Sequence, residues 1–474
     1  MHQINHHHIA PPGRFSSRSQ RRSWSPIWAG TAAACLALAA CGGGGGGGTS
    51  SPEPFGLVKI TAVDSFGGAI AGATITGPQG SSKTDAQGGA LVVIGAPGSS
   101  ATLTLSRATF ADQSIPVSST AGKINEVSVT LNRVTSAAGG SLSSRSGVAP
   151  TVSANGRQLT FEVELVVVDG NSQAIENLSA ANFVLRTCTP DTIDSVVDCV
   201  RGGSAGADVA YTPVQAAPDA LALIPGRPAQ AYAAGLLLDQ SGSIMQSDPT
   251  GARLFSTKSF LTGLGTDDRA LLAAFAGGSV ALIPTVPLTV YGSFRDRTSA
   301  PGYFPVLDGL TSLVGGDTPL YQSLDTMRQR MVSATELPTG QAKAVVVFTD
   351  GADTRCGTAD SCRSTRAQSI LAANQAQVRI FTIGLSKDID VAALSELANQ
   401  TGGAFLYADN AEQLIPLYGS VGKLLSLSLS TYRLRWTVQA AAAGAFHPGD
   451  ALLGRVQVNA GSSTFNVPFL VGIP

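Results

Sequence analysis

The pentapeptide Asp239-Gln240-Ser241-Gly242-Ser243 follows directly on the apolar run Ala234-Gly235-Leu236-Leu237-Leu238. One carboxylate and two hydroxyls therefore sit at alternating positions just past a buried strand. On a strand-to-helix turn such spacing aims all three side chains at one point and supplies the hard oxygen donors that Mg²⁺ prefers. The same residues could instead cap the next helix, since Asp and Ser are favoured N-cap residues. Two further segments favour the metal. They are Gly315-Gly316-Asp317-Thr318-Pro319-Leu320-Tyr321 and Val345-Val346-Val347-Phe348-Thr349-Asp350-Gly351, in which an aspartate ends a second apolar run.

In this order the three segments resemble the metal ion-dependent adhesion site of von Willebrand factor type A domains, over roughly Ala231 to Leu425. The resemblance implies that Ser241, Ser243 and Thr318 bind the cation directly and that Asp239 and Asp350 hold it mainly through water. It implies Mg²⁺, with Mn²⁺ or Ca²⁺ as alternatives, and an Asp or Glu of a protein partner completing the coordination. Asp317, beside Thr318, could substitute for it or add charge. Asp353 is expected as a solvated loop residue, with a role as an outer-shell acceptor as the alternative.

Such a site needs strands that end together. Leu271–Phe275, Val280–Ile283, Ala344–Phe348 and Arg379–Gly384 are short, nearly continuous apolar runs, the pattern of strands buried on both faces. Helical patterns lie between them, at Arg253–Thr262, Leu320–Val332, Arg363–Asn374, Val391–Thr401 and Ala411–Leu425. Alternation of this kind predicts an open, doubly wound α/β sheet, Rossmann-like, over 231–426. Ligands of such sheets bind outside the carboxyl ends of the strands at the topological switch point, and Asp239 and Asp350 both end strands there. The resemblance further suggests that the last helix could shift and couple metal closure to its neighbours. Plain packing of an amphipathic helix on the sheet is the other reading.

The flanks read as β-structure. Alternating runs between 55 and 134, separated by turn residues, predict a β-sandwich. Val63–Ile75 followed by Thr84-Asp85-Ala86-Gln87-Gly88-Gly89 resembles the carboxypeptidase regulatory-like fold, which implies a spacer or binding module. Ser/Gly-rich residues 135–146 read as a linker. Residues 147–230 resemble the half-sandwich that precedes type A domains in bacterial surface proteins. Three further strands in 427–474 are expected to complete the same sandwich, with the type A domain inserted.

Residues 1–40 hold Arg14, Arg18, Arg21 and Arg22, no acid, and the apolar stretch Ile27–Ala40, a secretory signal pattern too short to span a membrane. Leu38-Ala39-Ala40-Cys41 resembles a bacterial lipobox, which implies lipidation of Cys41 and a membrane anchor. A glycine run within 41–54 then forms a tether. The expected location is the outer membrane or cell surface, with the periplasmic leaflet as an alternative. The whole chain has 31 Lys plus Arg against 32 Asp plus Glu, so removing four arginines leaves a mildly acidic protein. No basic cluster interleaved with aromatics speaks for nucleic acid. In an exported chain the remaining cysteines suggest two local disulfides, Cys188 with Cys199 and Cys356 with Cys362.

Only His447 survives signal removal, which argues against a histidine-dependent hydrolase or a catalytic zinc site. The expected function is therefore non-enzymatic: metal-dependent protein binding or adhesion. A Mg²⁺-dependent phosphoester hydrolase and an architectural envelope protein with an unused site are the alternatives.

Overall fold

Alternation in Leu57-Val58-Lys59-Ile60-Thr61-Ala62 buries Val58, Ile60 and Ala62 on one side of a strand. The computed structural model describes residues 55–474 except 108–109, 134–137, 144–148, 171, 187–199, 202–209, 278–287, 387–388, 409 and 462. Cys41, Cys188, Cys199 and the run Val280–Ile283 thus lie outside the described residues. Seven strands form the first sandwich: β1 (Gly56–Val63), β2 (Thr74–Gly77), β3 (Gly80–Lys83), β4 (Gly89–Gly95), β5 (Ser100–Ser106), β6 (Gln113–Ser118) and β7 (Asn125–Thr130). Sheet β4-β1-β7 faces sheet β3-β2-β5-β6 across a core that includes Ile60, Ile75, Leu103 and Leu105.

The next elements are β8 (Ala138–Ser143), β9 (Thr151–Val152), β10 (Gln158–Asp169), β11 (Phe183–Leu185), β12 (Val200–Arg201), β13 (Tyr211–Pro213) and β14 (Ala220–Ile224). The α/β region then supplies β15 (Tyr232–Asp239), α1 (Ile244–Ser247), α2 (Ala252–Thr262), β16 (Arg269–Phe275), β17 (Leu288–Val290), α3 (Phe304–Gly309) and α4 (Leu320–Val332). It continues with β18 (Ala342–Thr349), α5 (Ala359–Gln375), β19 (Val378–Leu385), α6 (Val391–Gln400), β20 (Ala404–Ala408) and α7 (Leu414–Leu425). The strands β21 (Thr431–Ala440), β22 (Ala451–Ala460) and β23 (Ser463–Gly472) end the chain.

Five parallel strands, in the order β20-β19-β18-β15-β16, make the centre of the α/β sheet, and β17 closes its far edge antiparallel. All eight residues of β15 are buried. Leu237, Val345 and Val347 pack with α4, α5 and α6 on one face, while Leu236, Leu238, Val346 and Phe348 pack with α2, α3 and α7 on the other. Adjacent residues of one strand thus feed two cores, which is why the sequence reads as continuous apolar runs. Helix α7 buries Leu414, Leu417, Tyr418, Val421 and Leu425.

Residues 138–143 fall in the segment expected as linker, yet they form β8, which pairs antiparallel with both β10 and β20. Glycine and serine are poor strand formers, but a strand here satisfies backbone groups of two neighbouring edges at once. The α/β sheet therefore runs on through β8 into β10 and β21. β10 pairs with β21 from Gln158↔Gln439 to Leu165↔Tyr432, and β11 pairs with β22. Segments on either side of the α/β insertion thus share one sandwich. Its core holds the fully buried Trp436 and the Phe161–Phe469 pair, with ring centroids 5.4 Å apart.

The first sandwich docks on α2 and α3. Phe66 sits 5.0 Å from the Phe255 ring and 5.4 Å from the Phe304 ring. The buried Lys258 ammonium binds Asp308 at 2.6 Å and lies 3.7 Å from Asp64.

Candidate metal centre

β15 and β18 are neighbours in parallel register, with Leu238 opposite Phe348, so Asp239 and Asp350 arrive at the same edge of the sheet. Asp239 is fully buried. Its Oδ2 accepts the Thr349 hydroxyl at 2.6 Å, and its Oδ1 accepts the Ser241 backbone N–H at 2.8 Å, which folds the chain back over the strand end. The Ser241 and Ser243 hydroxyl oxygens lie 3.2 Å apart. Ser243 donates to Asp350 Oδ1 at 2.7 Å, and Ser247 donates to Asp350 Oδ2. Ser243 immediately precedes α1 but makes no side-chain cap bond. The capping alternative therefore fails for this residue, because its hydroxyl is spent on Asp350.

The second loop is stitched to the first by backbone bonds. Gly242 N–H donates to Gly316 O at 3.1 Å, and Gly315 N–H donates to Gln240 O at 2.8 Å. Gly316 has φ of +82°, and a Cβ there would lie 1.7 Å from Gly277 O, so only glycine fits. Thr318 is buried, and its N–H donates to the Thr354 hydroxyl at 2.8 Å, joining the second loop to the third. A Cβ built on Gly351 would stand 3.9 Å from Thr318 Oγ1 and 4.0 Å from Ser243 Oγ. Hydroxyls from two loops thus lie beside Gly351.

Two neighbouring acids behave differently from the sequence reading. Asp317 does not stand in for Thr318, because its half-exposed carboxylate pairs with Arg355 Nε at 2.8 Å. Asp353 is half-buried, and backbone N–H groups take up both of its oxygens. Its Oδ2 accepts Tyr321 N–H at 2.8 Å, and its Oδ1 accepts Arg355 N–H at 2.7 Å and Cys356 N–H at 2.9 Å. It fastens the third loop to the first turn of α4. Cys356 and Cys362 are joined as a disulfide, and Cys362 already lies in α5, which starts earlier than the expected Arg363.

Residues 235–418 match the von Willebrand factor type A domain. The chain carries a type A domain. No curated protein matches the chain. Among solved structures it is similar to a von Willebrand factor type A protein from Catenulispora acidiphila, at 11% identity over 71% of this chain and 74% of that one, with a TM-score of 0.32. It is similar to proximal thread matrix protein 1 of the mussel byssus, with a zinc-occupied MIDAS motif, at 15% identity over 46% and 50%, with a TM-score of 0.32. A third is the pilus adhesin SpaC of Lactobacillus rhamnosus GG, at 13% identity over 69% and 56%, with a TM-score of 0.34.

Burial pushes the Asp239 carboxyl of the type A domain up to about 6, and the nearby negative charge of Asp350 adds to the effect. The bonds from Thr349 and Ser241 oppose it. Among the described residues no three His, Cys, Asp or Glu side chains cluster as a ligand set. The donors here are hydroxyls backed by two carboxylates, a hard set facing a small space, and that chemistry fits Mg²⁺.

Three supports escaped the sequence reading. Thr349 and Ser247 bond the two aspartates. Arg253, buried in α2, donates to Asp248 Oδ2 at 2.9 Å and to Gln240 Oε1 at 2.8 Å, bracing the first loop from behind. An arginine among the core positions of a helix was the available signal for this brace. Ser247, one turn after Ser243, was the signal for the other.

Proposed function

We propose that this protein is a cell-envelope lipoprotein whose type A domain binds a protein partner through a divalent cation. Ser241, Ser243 and Thr318 would hold Mg²⁺ directly, and Asp239 and Asp350 through water, with Mn²⁺ or Ca²⁺ as substitutes. The bound ion, contacted by neutral hydroxyls, supplies a Lewis-acidic position for an Asp or Glu of the partner. Anchoring through Cys41 would present the site at the outer membrane or cell surface.

The observation that carries this reading is the convergence of Ser243 and Thr318 on the space beside Gly351, with Asp350 already bonded to Ser243. Asp239 then does two things. Its bond to the Ser241 N–H turns the chain after β15, where the two serine hydroxyls come 3.2 Å apart, and it adds a buried carboxylate to the strand end.

Thermal unfolding in EDTA against excess Mg²⁺ or Mn²⁺ tests the reading. A ligand at one hundred times its dissociation constant stabilises by about 2.7 kcal/mol, which is read as a shift of a few degrees. Wild type is expected to shift. Asp239→Ala is not, and Thr318→Ala, which keeps the buried carboxylate network, is expected to lose most of the shift. No shift in wild type across millimolar metal would move the architectural role to first place. Metal-dependent turnover of a phosphoester would replace the reading with a hydrolase.

A further inference from the structure

Asp350 is gripped at both oxygens by hydroxyls from one short helix: Ser243 bonds Oδ1 at 2.7 Å, and Ser247 bonds Oδ2. The two serines are four residues apart, one helical turn, and Ser247 N–H donates to Ser243 O at 3.2 Å, so α1 fixes their relation. Asp350 itself is 2% exposed. Ser243 has a second task in the metal reading, whereas among the described residues the Ser247 hydroxyl bonds Asp350 alone.

We infer that Ser247 is a positioning residue that keeps the Asp350 carboxylate from turning onto the metal. The inference rests on the metal reading above. A carboxylate held by a hydroxyl at each oxygen turns about its Cβ–Cγ bond only by giving up one of those bonds, which favours action on the ion through water. That preserves the charge deficit at the cation, and with it the demand for a carboxylate from outside. Removal of the Ser247 hydroxyl frees Oδ2 and leaves Asp350 held on one side only. Its carboxylate would then be free to bind the ion directly in place of one bound water. Ser247 thereby sets how strongly the site selects an acidic partner, although it lies outside the D-x-S-x-S pattern.

The test uses Mn²⁺ as the probe on the full chain, in wild type, Ser247→Ala and Ser247→Thr. Binding is followed by electron paramagnetic resonance, bound water by the proton relaxation enhancement of the complex, and the fold by melting in EDTA. Ser247→Ala is expected to bind Mn²⁺ at least as tightly as wild type, with relaxation enhancement lowered by the share of one water. Ser247→Thr, which keeps the hydroxyl, is expected to restore the wild-type value. Any result in which Ser247→Ala leaves the enhancement unchanged, or binds Mn²⁺ more weakly, overturns the inference. A wild type that binds no Mn²⁺ overturns the metal reading itself, which is a separable outcome.

Discussion

Thr349 donates its hydroxyl to Asp239 across the boundary between β18 and β15, at 2.6 Å, in a place where neither residue meets solvent. The two central strands of the type A sheet are thus joined at their carboxyl ends by side chains as well as by backbone. Thr349 precedes Asp350 in sequence, so one strand end serves both aspartates of the candidate centre.

Thr349→Val keeps the shape and removes the hydroxyl, leaving Asp239 Oδ2 without this donor. A buried acceptor stripped of its partner costs about 1–3 kcal/mol, and more when it is charged. Urea unfolding in EDTA should show a loss of that size. Mg²⁺ should recover part of it, because the cation offers the carboxylate a new source of positive charge. A variant as stable as wild type in EDTA would mean that the bond contributes nothing net.

The raised pKa of Asp239 gives a pH dependence with a definite sign. Its folded value of about 6 lies above that of an unfolded aspartate, near 3.8. Between these values the unfolded chain releases its proton more readily, so the metal-free protein loses stability as pH rises from about 4 to above 6, by a sum on the order of 2 to 3 kcal/mol. Below pH 4 this penalty is absent. Melting in EDTA at pH 5 and pH 7.5 should show the decline in wild type and a smaller one in Asp239→Asn. Stabilisation by Mg²⁺ should grow over the same window, since the ion needs the ionised carboxylate.

Specific contacts hold the first sandwich to the type A domain. Phe66 lies against Phe255 and Phe304, and a Cβ on Gly68 would stand 2.7 Å from both Lys258 Nζ and Asp308 Oδ1. Phe66→Ala and Gly68→Val should therefore loosen the docking without unfolding either part. Limited proteolysis between residues 131 and 137, ahead of β8, is expected to speed up several-fold in both variants. Unchanged cleavage would show that the sandwich is held by other means.

The centre of this architecture was legible in sequence because its elements are fixed by local pattern. Leu236, Leu237 and Leu238 demand burial on both faces, and Asp239 and Asp350 mark the strand ends by breaking apolar runs. Helix α4 begins and ends where its apolar spacing does, at Leu320 and Val332. What was not legible depends on partners distant in sequence. β8 is a strand only because β10 and β20 lie on either side of it. Asp353 reads as a loop acid until Tyr321, in the first turn of α4, supplies its N–H. Arg253 reads as a surface residue until Gln240 and Asp248 enclose it.

The second sandwich should not survive without the end of the chain. Along one side of β10, the partners from Gln158 to Leu165 come from β21, and those of β11 come from β22. Tyr432 also fastens the chain ahead of the inserted domain, as its hydroxyl donates to Ile175 O at 2.7 Å and accepts Leu178 N–H at 3.0 Å. Trp436 fills the core and donates its indole N–H to Ala216 O at 3.3 Å. Trp436→Ala is expected to cost about 3–5 kcal/mol, the range for deleting a buried large aromatic. Truncation after residue 430 should go further, leaving residues 145–230 open to protease and removing Trp436, Val456 and Phe469 from the core that the sandwich shares with one face of the α/β sheet. Release of a folded 145–230 fragment from the truncated protein would contradict the shared sandwich.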